Sequence, residues 1–355
     1  MEQLIRYSLR ASPETEHVVV SLKNLRTELW IRLENMGVRV VTCNFNSSLS
    51  VIGGWRLRLL LQSLASSRTI IQCWMYHANL VTSIFGFGLG INVVWSIRRT
   101  QTPPGLTGVI SKFSAVISHV VHPHIISNSE SGILSHRRAG YYLENSHVIQ
   151  NGFFNEPVRQ NAIKSNFENS SEITFGIIGR YAPVKGHRYM LEAVIRLNDS
   201  LPPEQFSKLK FIFAGRGIVE SECLKKYMQD EVVKKSCRFL GEVSDISSVL
   251  RRIDCLILPS LSEGFPNVLV EAMIAYKYCI VTDVGDVRRI VNGKITPVRP
   301  GSAHEIEQAI LDCIGLPSSV RHKKIRELGN DARKMFSIRS CWEKYKSLYD
   351  SILIR

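Results

Sequence analysis

The stretch Asp254-Cys-Leu-Ile-Leu-Pro-Ser-Leu-Ser-Glu263-Gly-Phe-Pro-Asn-Val-Leu-Val-Glu271 decides the fold. Cys255 to Leu258 is an unbroken apolar run of strand length, the pattern of a strand buried on both faces in a parallel sheet. Gly264 permits a backbone conformation closed to other residues, and Asn267 is expected to cap a helix over Val268 to Ala275. Glu263 then lies in the strand-to-helix loop and Glu271 one turn into the helix. Backbone N–H groups at such a helix start, with the helix dipole behind them, suit a diphosphate. A carboxylate one turn further on accepts hydrogen bonds from ribose hydroxyls, which leaves Glu263 to meet whatever lies beyond the phosphates.

Upstream, Ile173 to Gly179 reads as a strand, Arg180 to Gly186 as a turn and His187 to Leu197 as an amphipathic helix. Arg180 and Lys185 flank that turn. Between the two motifs, Leu209 to Gly217 and Cys237 to Val243 are each a strand running into a glycine turn. Strand and helix alternate throughout Ile173 to Val298, which predicts right-handed crossovers and a parallel sheet covered on both faces.

Glu263-Gly264-Phe265 with Glu271, together with Gly179-Arg180, Pro183 and Lys185-Gly186, resembles the signature of the retaining GT-B glycosyltransferases of family four (glycosyl transferases group 1), of the bacterial surface-polysaccharide type. The resemblance implies an α/β fold of two Rossmann-like domains facing a cleft. It further implies transfer of a sugar from a nucleoside diphosphate sugar to a hydroxyl acceptor with retention, the acceptor class being a lipid-linked glycan in polysaccharide biosynthesis. On the donor side, Glu263 would contact sugar hydroxyls and Glu271 the ribose. The backbone from Gly264 through Phe265, Pro266, Asn267, Val268 and Leu269 would bind the distal phosphate. Arg180 and Lys185 would stabilise the departing diphosphate, so that neither a metal nor another cofactor is expected. Gly215 and Val243 lie in turns that border the nucleotide in relatives, and Asp286, in Thr282-Asp-Val-Gly285-Asp286, lies in a loop that faces the donor sugar there and is a candidate ligand for its hydroxyls.

The resemblance divides the chain into an acceptor domain over 1–155, a linker over 156–172, a nucleotide-sugar domain over 173–337 and a C-terminal helix over 338–355 that crosses back to the first domain. Trp342, Tyr345, Leu348, Tyr349 and Ile352 form the apolar stripe of that helix; packing on the second domain alone is the other reading. In the first domain, strands are expected over Glu16 to Leu22, Val38 to Cys43, Arg68 to Cys73, Asn92 to Ile97 and His124 to Ser129, with a helix over Leu25 to Met36. Family members open with a strand and a glycine-rich loop, whereas Met1-Glu-Gln-Leu-Ile-Arg reads as the helix after that loop. The first domain is therefore expected to lack its opening strand, and a truncated, catalytically impaired remnant that only binds is the alternative function. A sugar-nucleotide epimerase is a lesser alternative. Arg98 stands where relatives carry a histidine, and is assigned to acceptor or phosphate binding. His77, beyond the preceding strand, is a candidate proton carrier or hydroxyl ligand, against the reading of a histidine hydrogen-bonded inside the domain.

Composition fits a globular two-domain chain of 355 residues, 45% hydrophobic. Thr69 to Ile97 holds no charged residue, but Gln72, His77, Asn79 and several glycines interrupt it, so strand, helix and strand explain it better than a membrane span. The net charge of +14 calls for anionic partners. The nucleotide sugar and an anionic membrane surface are the candidates, and nucleic acid is not expected because no zinc finger or aromatic-basic motif is present. Arg56 and Arg58 beside Trp55 could lie on a basic amphipathic membrane helix, although a helix packing Leu59, Leu60 and Leu64 into the core is the preferred reading. Eight cysteines without metal or redox spacing read as reduced core thiols. With no secretory signal at the amino terminus, they imply a cytoplasmic protein, peripheral at the inner face of the plasma membrane.

Overall fold

A computed structural model describes residues 1–45, 50–101, 104–155 and 172–354. The expected linker over 156–172 therefore lies, apart from Glu172, outside the described residues. The chain divides into two compact units, one of Met1–Phe154 with Phe336–Arg355 and one of Asn155–Met335. All named strand pairs in both are parallel.

The first unit runs α1 (Glu2–Ala11), β1 (Val18–Ser21), α2 (Glu28–Asn35), β2 (Arg39–Thr42), α3 (Val51–Leu64), β3 (Ile70–Gln72), α4 (Tyr76–Phe85), β4 (Asn92–Ile97), α5 (Leu106–Val121), β5 (His124–Ser127), α6 (Glu130–Arg138) and β6 (Ser146–Val148). Its strands form two sheets. One is β1-β2 and the other β3-β4-β5-β6, and among the described residues no ladder joins β1 to β3. β4 and β5 are buried over most of their length, while β1, β2 and β3 stay partly exposed throughout, as strands with an unpaired edge do.

In α3 the structure corrects the expected packing. A Cβ on Gly53 would fall 2.7 Å from the Phe45 ring and one on Gly54 2.0 Å from the Phe85 ring, so the glycines are the residues pressed inward. That phase buries Leu57 and Leu61 and turns Leu59 out to solvent, with Leu60 and Leu64 half-buried.

The second unit runs β7 (Ile173–Ile178), α7 (His187–Ser200), α8 (Pro203–Phe206), β8 (Leu209–Ala214), α9 (Glu222–Met228), α10 (Glu231–Ser236), β9 (Cys237–Phe239), α11 (Ile246–Arg252), β10 (Cys255–Leu258), α12 (Asn267–Ile274), β11 (Tyr278–Val281), α13 (Val287–Val291), α14 (Ala303–Gly315) and α15 (Ser318–Met335). Its single sheet has the order β11-β10-β7-β8-β9, with helices packed on the strands. Every residue of β10 is buried. α12 starts one residue earlier than the sequence suggested: Pro266 is its N-cap, no side chain caps it, and Asn267 is its exposed first residue. Proline reaches this place because its fixed φ suits a helix start and its missing N–H is no loss there.

Phe153 donates from its N–H to Phe336 O at 2.8 Å, and Ile338 donates to Phe153 O at 2.8 Å, a parallel bridge within the first unit. α16 (Ile338–Leu353) follows and packs Trp342, Tyr345, Leu348 and Ile352 with Leu4, Val94 and Ile126 of the same unit. Gly152 is what lets it approach, because a Cβ there would stand 2.5 Å from that of Cys341.

Candidate functional site

In the second unit, β8 and β9 lie on one side of β7 and β10 and β11 on the other, so chain order reverses between β7 and β10. Open parallel sheets bind ligands outside the carboxyl ends of their strands at such a reversal. Both motifs singled out from the sequence follow these two strands.

Glycines show how closely the loops converge. Gly186 has φ +70°, and a Cβ on it would fall 1.9 Å from Pro259 O. Gly285 has φ +53°, with its would-be Cβ 2.2 Å from Glu263 O, and on Gly215 a Cβ would meet Gly179 O at 2.1 Å. Only glycine fits at these contacts, so the loops after β7, β8, β10 and β11 are locked backbone to backbone. Hydrogen bonds add to the lock: Leu261 N to Val184 O, Tyr181 N to Arg216 O and Gly215 N to Gly241 O, each 2.7 Å, and Asp286 N to Gly264 O, 3.2 Å.

On this frame Lys185 Nζ donates to Glu263 Oε1 at 2.6 Å, and Ser260 Oγ donates to the same oxygen at 2.6 Å. The pair is largely shielded, with side chains 26% and 10% exposed, so the charges act on each other through little water. Arg180, at the end of β7, is exposed. Glu271 is different: its Oε2 is buried without a hydrogen-bond partner, and burial raises the carboxyl above its ordinary pKa. An unpaired buried polar atom costs about 1–3 kcal/mol, which a donor hydroxyl at that place would recover.

The other expected donor residues divide by burial. Phe265, Pro266 and Leu269 are buried and offer a ligand only backbone, while Asn267 is exposed and Val268 half-buried. The Gly264 carbonyl accepts from the Asp286 N–H, and Asp286 is buried. Val243 is half-buried in the loop after β9.

His187 escaped the sequence reading. It opens α7, is buried, and its Nε2 lies 3.3 Å from Gly179 O, which makes Nε2 the protonated nitrogen and leaves Nδ1 buried without a partner. Burial, together with the nearby Lys185 cation, pushes its pKa down to about 4 against the raising effect of the Gly179 bond. Neutral His187 thus ties the first turn residue to the helix start. A histidine directly after Lys185-Gly186 was the available signal.

In the first unit, His77 is the second residue of α4, half-buried, with its pKa lowered by burial and by Lys23. It follows Met75, whose φ of 77° and ψ of 165° fall in a region that essentially only glycine occupies. No sequence signal pointed to that strain. Arg98 is held by three contacts within the first unit: Nη1 donates to Asn151 Oδ1 at 2.5 Å, Nη2 donates to Tyr345 OH at 2.7 Å, and the guanidinium lies 4.7 Å over the Trp74 ring. It braces α16 against the first unit.

The family model described as Glycosyl transferases group 1 matches residues 158–335. An uncharacterized glycosyltransferase of Methanocaldococcus jannaschii is 26% identical over 289 residues, covering 74% of this chain and 76% of that protein. The UDP-Gal:alpha-D-GlcNAc-diphosphoundecaprenol alpha-1,3-galactosyltransferase of Escherichia coli is 30% identical over 115 residues, 32% of this chain and only 29% of that protein. Among solved structures, Anabaena HepE in complex with UDP-glucose superposes with a TM-score of 0.79 at 18% identity, over 99% of this chain and 95% of that one. A glycosyltransferase of Rickettsia africae gives a TM-score of 0.78 at 16% identity, over 99% and 93%. The fold is therefore GT-B.

Proposed function

The chain belongs to the glycosyl transferases group 1, and from that premise we propose that it moves a sugar from a nucleoside diphosphate sugar to a hydroxyl acceptor with retention at the anomeric carbon. The observation that carries the donor half is Glu271 Oε2, buried and unpartnered one turn into α12, the helix that follows the loop holding the Lys185–Glu263 pair. Glu271 accepts from the ribose hydroxyls, and the uncapped start of α12 takes the distal phosphate. Glu263, already held by Ser260 and Lys185, positions the sugar hydroxyls.

As the bond from the anomeric carbon to the diphosphate breaks, its electron pair goes to the phosphate oxygen, and Arg180 and Lys185 stabilise the charge that collects there. The acceptor oxygen bonds to the same face of the sugar, and its proton passes to the departing phosphate. This reading asks for no metal, since the two cations supply the charge. Asp286, Gly215 and Val243 shape the surroundings through their loops, and His77 is kept as the acceptor-side hydroxyl ligand or proton carrier. We assign Arg98 to bracing the acceptor unit, with any acceptor or phosphate contact made through that brace. UDP is the first nucleotide to try, because solved neighbours hold UDP and UDP-glucose.

A lipid-linked glycan in polysaccharide assembly is the acceptor class, in keeping with the diphosphoundecaprenol substrate in a relative's name. No helix among the described residues is long and apolar enough to cross a membrane. We place the protein at the cytoplasmic membrane face as a peripheral protein, in keeping with its net charge of +14. The alternative, an impaired binding remnant, is favoured by the missing ladder between β1 and β3.

Isothermal titration with UDP-, GDP- and ADP-sugars, alongside Glu271→Ala and Lys185→Ala, tests the donor site. Saturable binding of one donor, weakened in both variants, followed by transfer to a polyprenyl-diphosphate glycan, is the expected outcome. A folded chain that binds no donor overturns the reading; binding without transfer to any acceptor favours the remnant.

A further inference from the structure

Helix α5 is amphipathic the wrong way round for a helix facing water. Its buried side is mostly small or polar, with Gly108, Ser111, Ser114, Ala115 and Ser118 turned inward beside Ile110. Its larger apolar residues, Leu106, Val109, Phe113, Val116 and Val120, recur every three or four positions and are 49% to 66% exposed. Soluble helices turn such a stripe to the core, so this one is built to meet an apolar medium outside the chain.

The stripe does not stand alone. α5 packs on α4, and α4 on α3, and each adds to the exposed apolar surface. α3 contributes Val51, Ile52, Trp55 and Leu59, all more than half exposed, and the end of α4 contributes Ile84 and Phe87. Arg58 holds that end in place, its Nη1 donating to Phe85 O at 2.9 Å and to Phe87 O at 3.0 Å. A three-helix apolar face with Trp55, Phe87 and Phe113 standing out of it marks an interaction surface.

Charge decides what the surface meets. Between Glu34 and Glu130 the chain contains no Asp or Glu, while it carries seven Lys and Arg. Arg56 is exposed next to Trp55, Lys112 is exposed next to Phe113, and Arg68 and Arg99 are exposed as well. A second copy docked through the same face would set cations against cations. An anionic bilayer answers both features, because apolar side chains enter the headgroup boundary while each Lys or Arg near the surface is drawn to the anionic lipids.

We propose that the outer face of α3, α4 and α5 docks this chain on an anionic lipid bilayer. The docking surface goes beyond the donor site and stands apart from the transfer chemistry, since it uses none of the donor-binding residues. It narrows the possibilities for the acceptor to those presented at a membrane.

Flotation of the full chain with vesicles of phosphatidylcholine alone, and of phosphatidylcholine mixed with phosphatidylglycerol, is the test. The wild-type chain floats with the mixed vesicles and little with the neutral ones. Phe113→Ser with Val116→Ser, or Trp55→Ser alone, lowers the bound fraction ~10-fold or more, because burying one such side chain is worth roughly 1.5–3 kcal/mol. Arg56→Gln with Lys112→Gln removes the preference for phosphatidylglycerol. All these positions are exposed, so circular dichroism and donor titration should match the wild type, which separates a failure here from a failure of the donor site. A chain that stays in the aqueous layer overturns the proposal, as does one that floats equally with both vesicles whatever the variant. A dimer in light scattering that Phe113→Ser dissociates, without flotation of the wild type, gives the face to a second copy and likewise overturns it.

Discussion

The loops after β7 and β10 and the loops after β3 and β4 occupy like places on parallel sheets, yet the two units hold them by opposite means. In the second unit, glycine contacts and backbone hydrogen bonds fix the loops, and charged side chains are left to face one another across the strand ends. In the first unit, side chains do the holding: Arg98 is tied to Asn151, Tyr345 and Trp74. Tyr76 OH is hydrogen-bonded to His136 at 3.0 Å, and Met75 accepts strained dihedrals. A backbone-locked site presents its cations and carboxylates prearranged, which transition-state charge stabilisation requires. A side-chain-braced unit tolerates a surface specialised for docking.

The largest effect should come from breaking the backbone lock. Gly186→Ala places a methyl 1.9 Å from Pro259 O in a left-handed conformation, so the loops after β7 and β10 must part. A loss of about 3 kcal/mol or more in urea denaturation is expected, with no measurable donor binding. In the first unit, Gly90 also has positive φ, but a Cβ there meets nothing within 4 Å. Gly90→Ala should cost only the dihedral penalty of about 1–2 kcal/mol and leave donor binding intact. Equal losses would show that the contact, as opposed to the dihedral, contributes nothing.

Next comes the charge on that lock. Lys185→Met keeps the stem and removes the cation, while the Ser260 hydrogen bond to Glu263 stays. Donor affinity should fall roughly 10- to 100-fold, the scale of losing one hydrogen bond to a charged group. Titration calorimetry reads this directly, and an unchanged affinity would remove Lys185 from the diphosphate site.

Glu271 gives a pH signature with a definite sign. Its folded pKa is raised, so its contribution to stability is present below the ordinary value of 4.5 and lost as pH rises through the raised value. Above the raised value the ionised group is a net cost to the empty protein. Glu271→Gln should therefore raise the melting temperature at neutral pH, the gain shrinking to nothing below 4.5. Donor affinity should move the other way, about 10-fold weaker in the variant, because ribose hydroxyls prefer the charged acceptor. A variant less stable than wild type at neutral pH would mean that Glu271 Oε2 already has a partner in solution.

Legibility from sequence followed the same division. β10 could be read to its ends because a strand buried on both faces leaves an unbroken apolar run; Glu263 and Glu271 stand out as candidates because glycine, proline, helix start and buried strand agree around them, a bare spacing of two carboxylates being too common to mark a site. The inward phase of α3 was not legible, since it depends on Phe45 and Phe85 lying over Gly53 and Gly54, contacts between distant residues. Arg98 draws notice in the sequence because it stands where relatives carry a histidine, and its hydrogen bond to Tyr345, 247 residues away, is a long-range contact that no local pattern announces. Asn267 has the composition of a cap, but Pro266 before it had already set the helix start. His187 was hidden for a simpler reason: a single histidine at a helix start has many ordinary explanations until Gly179 O is seen beside it.

The smallest effect tests whether strain in the first unit serves its candidate loop. Met75 sits directly before Tyr76 and His77 with dihedrals that only glycine adopts freely, at a cost of roughly 1–3 kcal/mol. Met75→Gly relieves that cost but releases conformational freedom in the unfolded chain, so the net gain should be about 1 kcal/mol in urea denaturation. Donor binding, which the proposal assigns to the second unit, should not change. If the strain exists to aim His77, the more stable variant should transfer more slowly at saturating donor, because a relaxed turn no longer fixes the imidazole. If transfer is unaffected, the strain is a by-product of seating Tyr76 against His136, and His77 loses its claim to a part in the reaction.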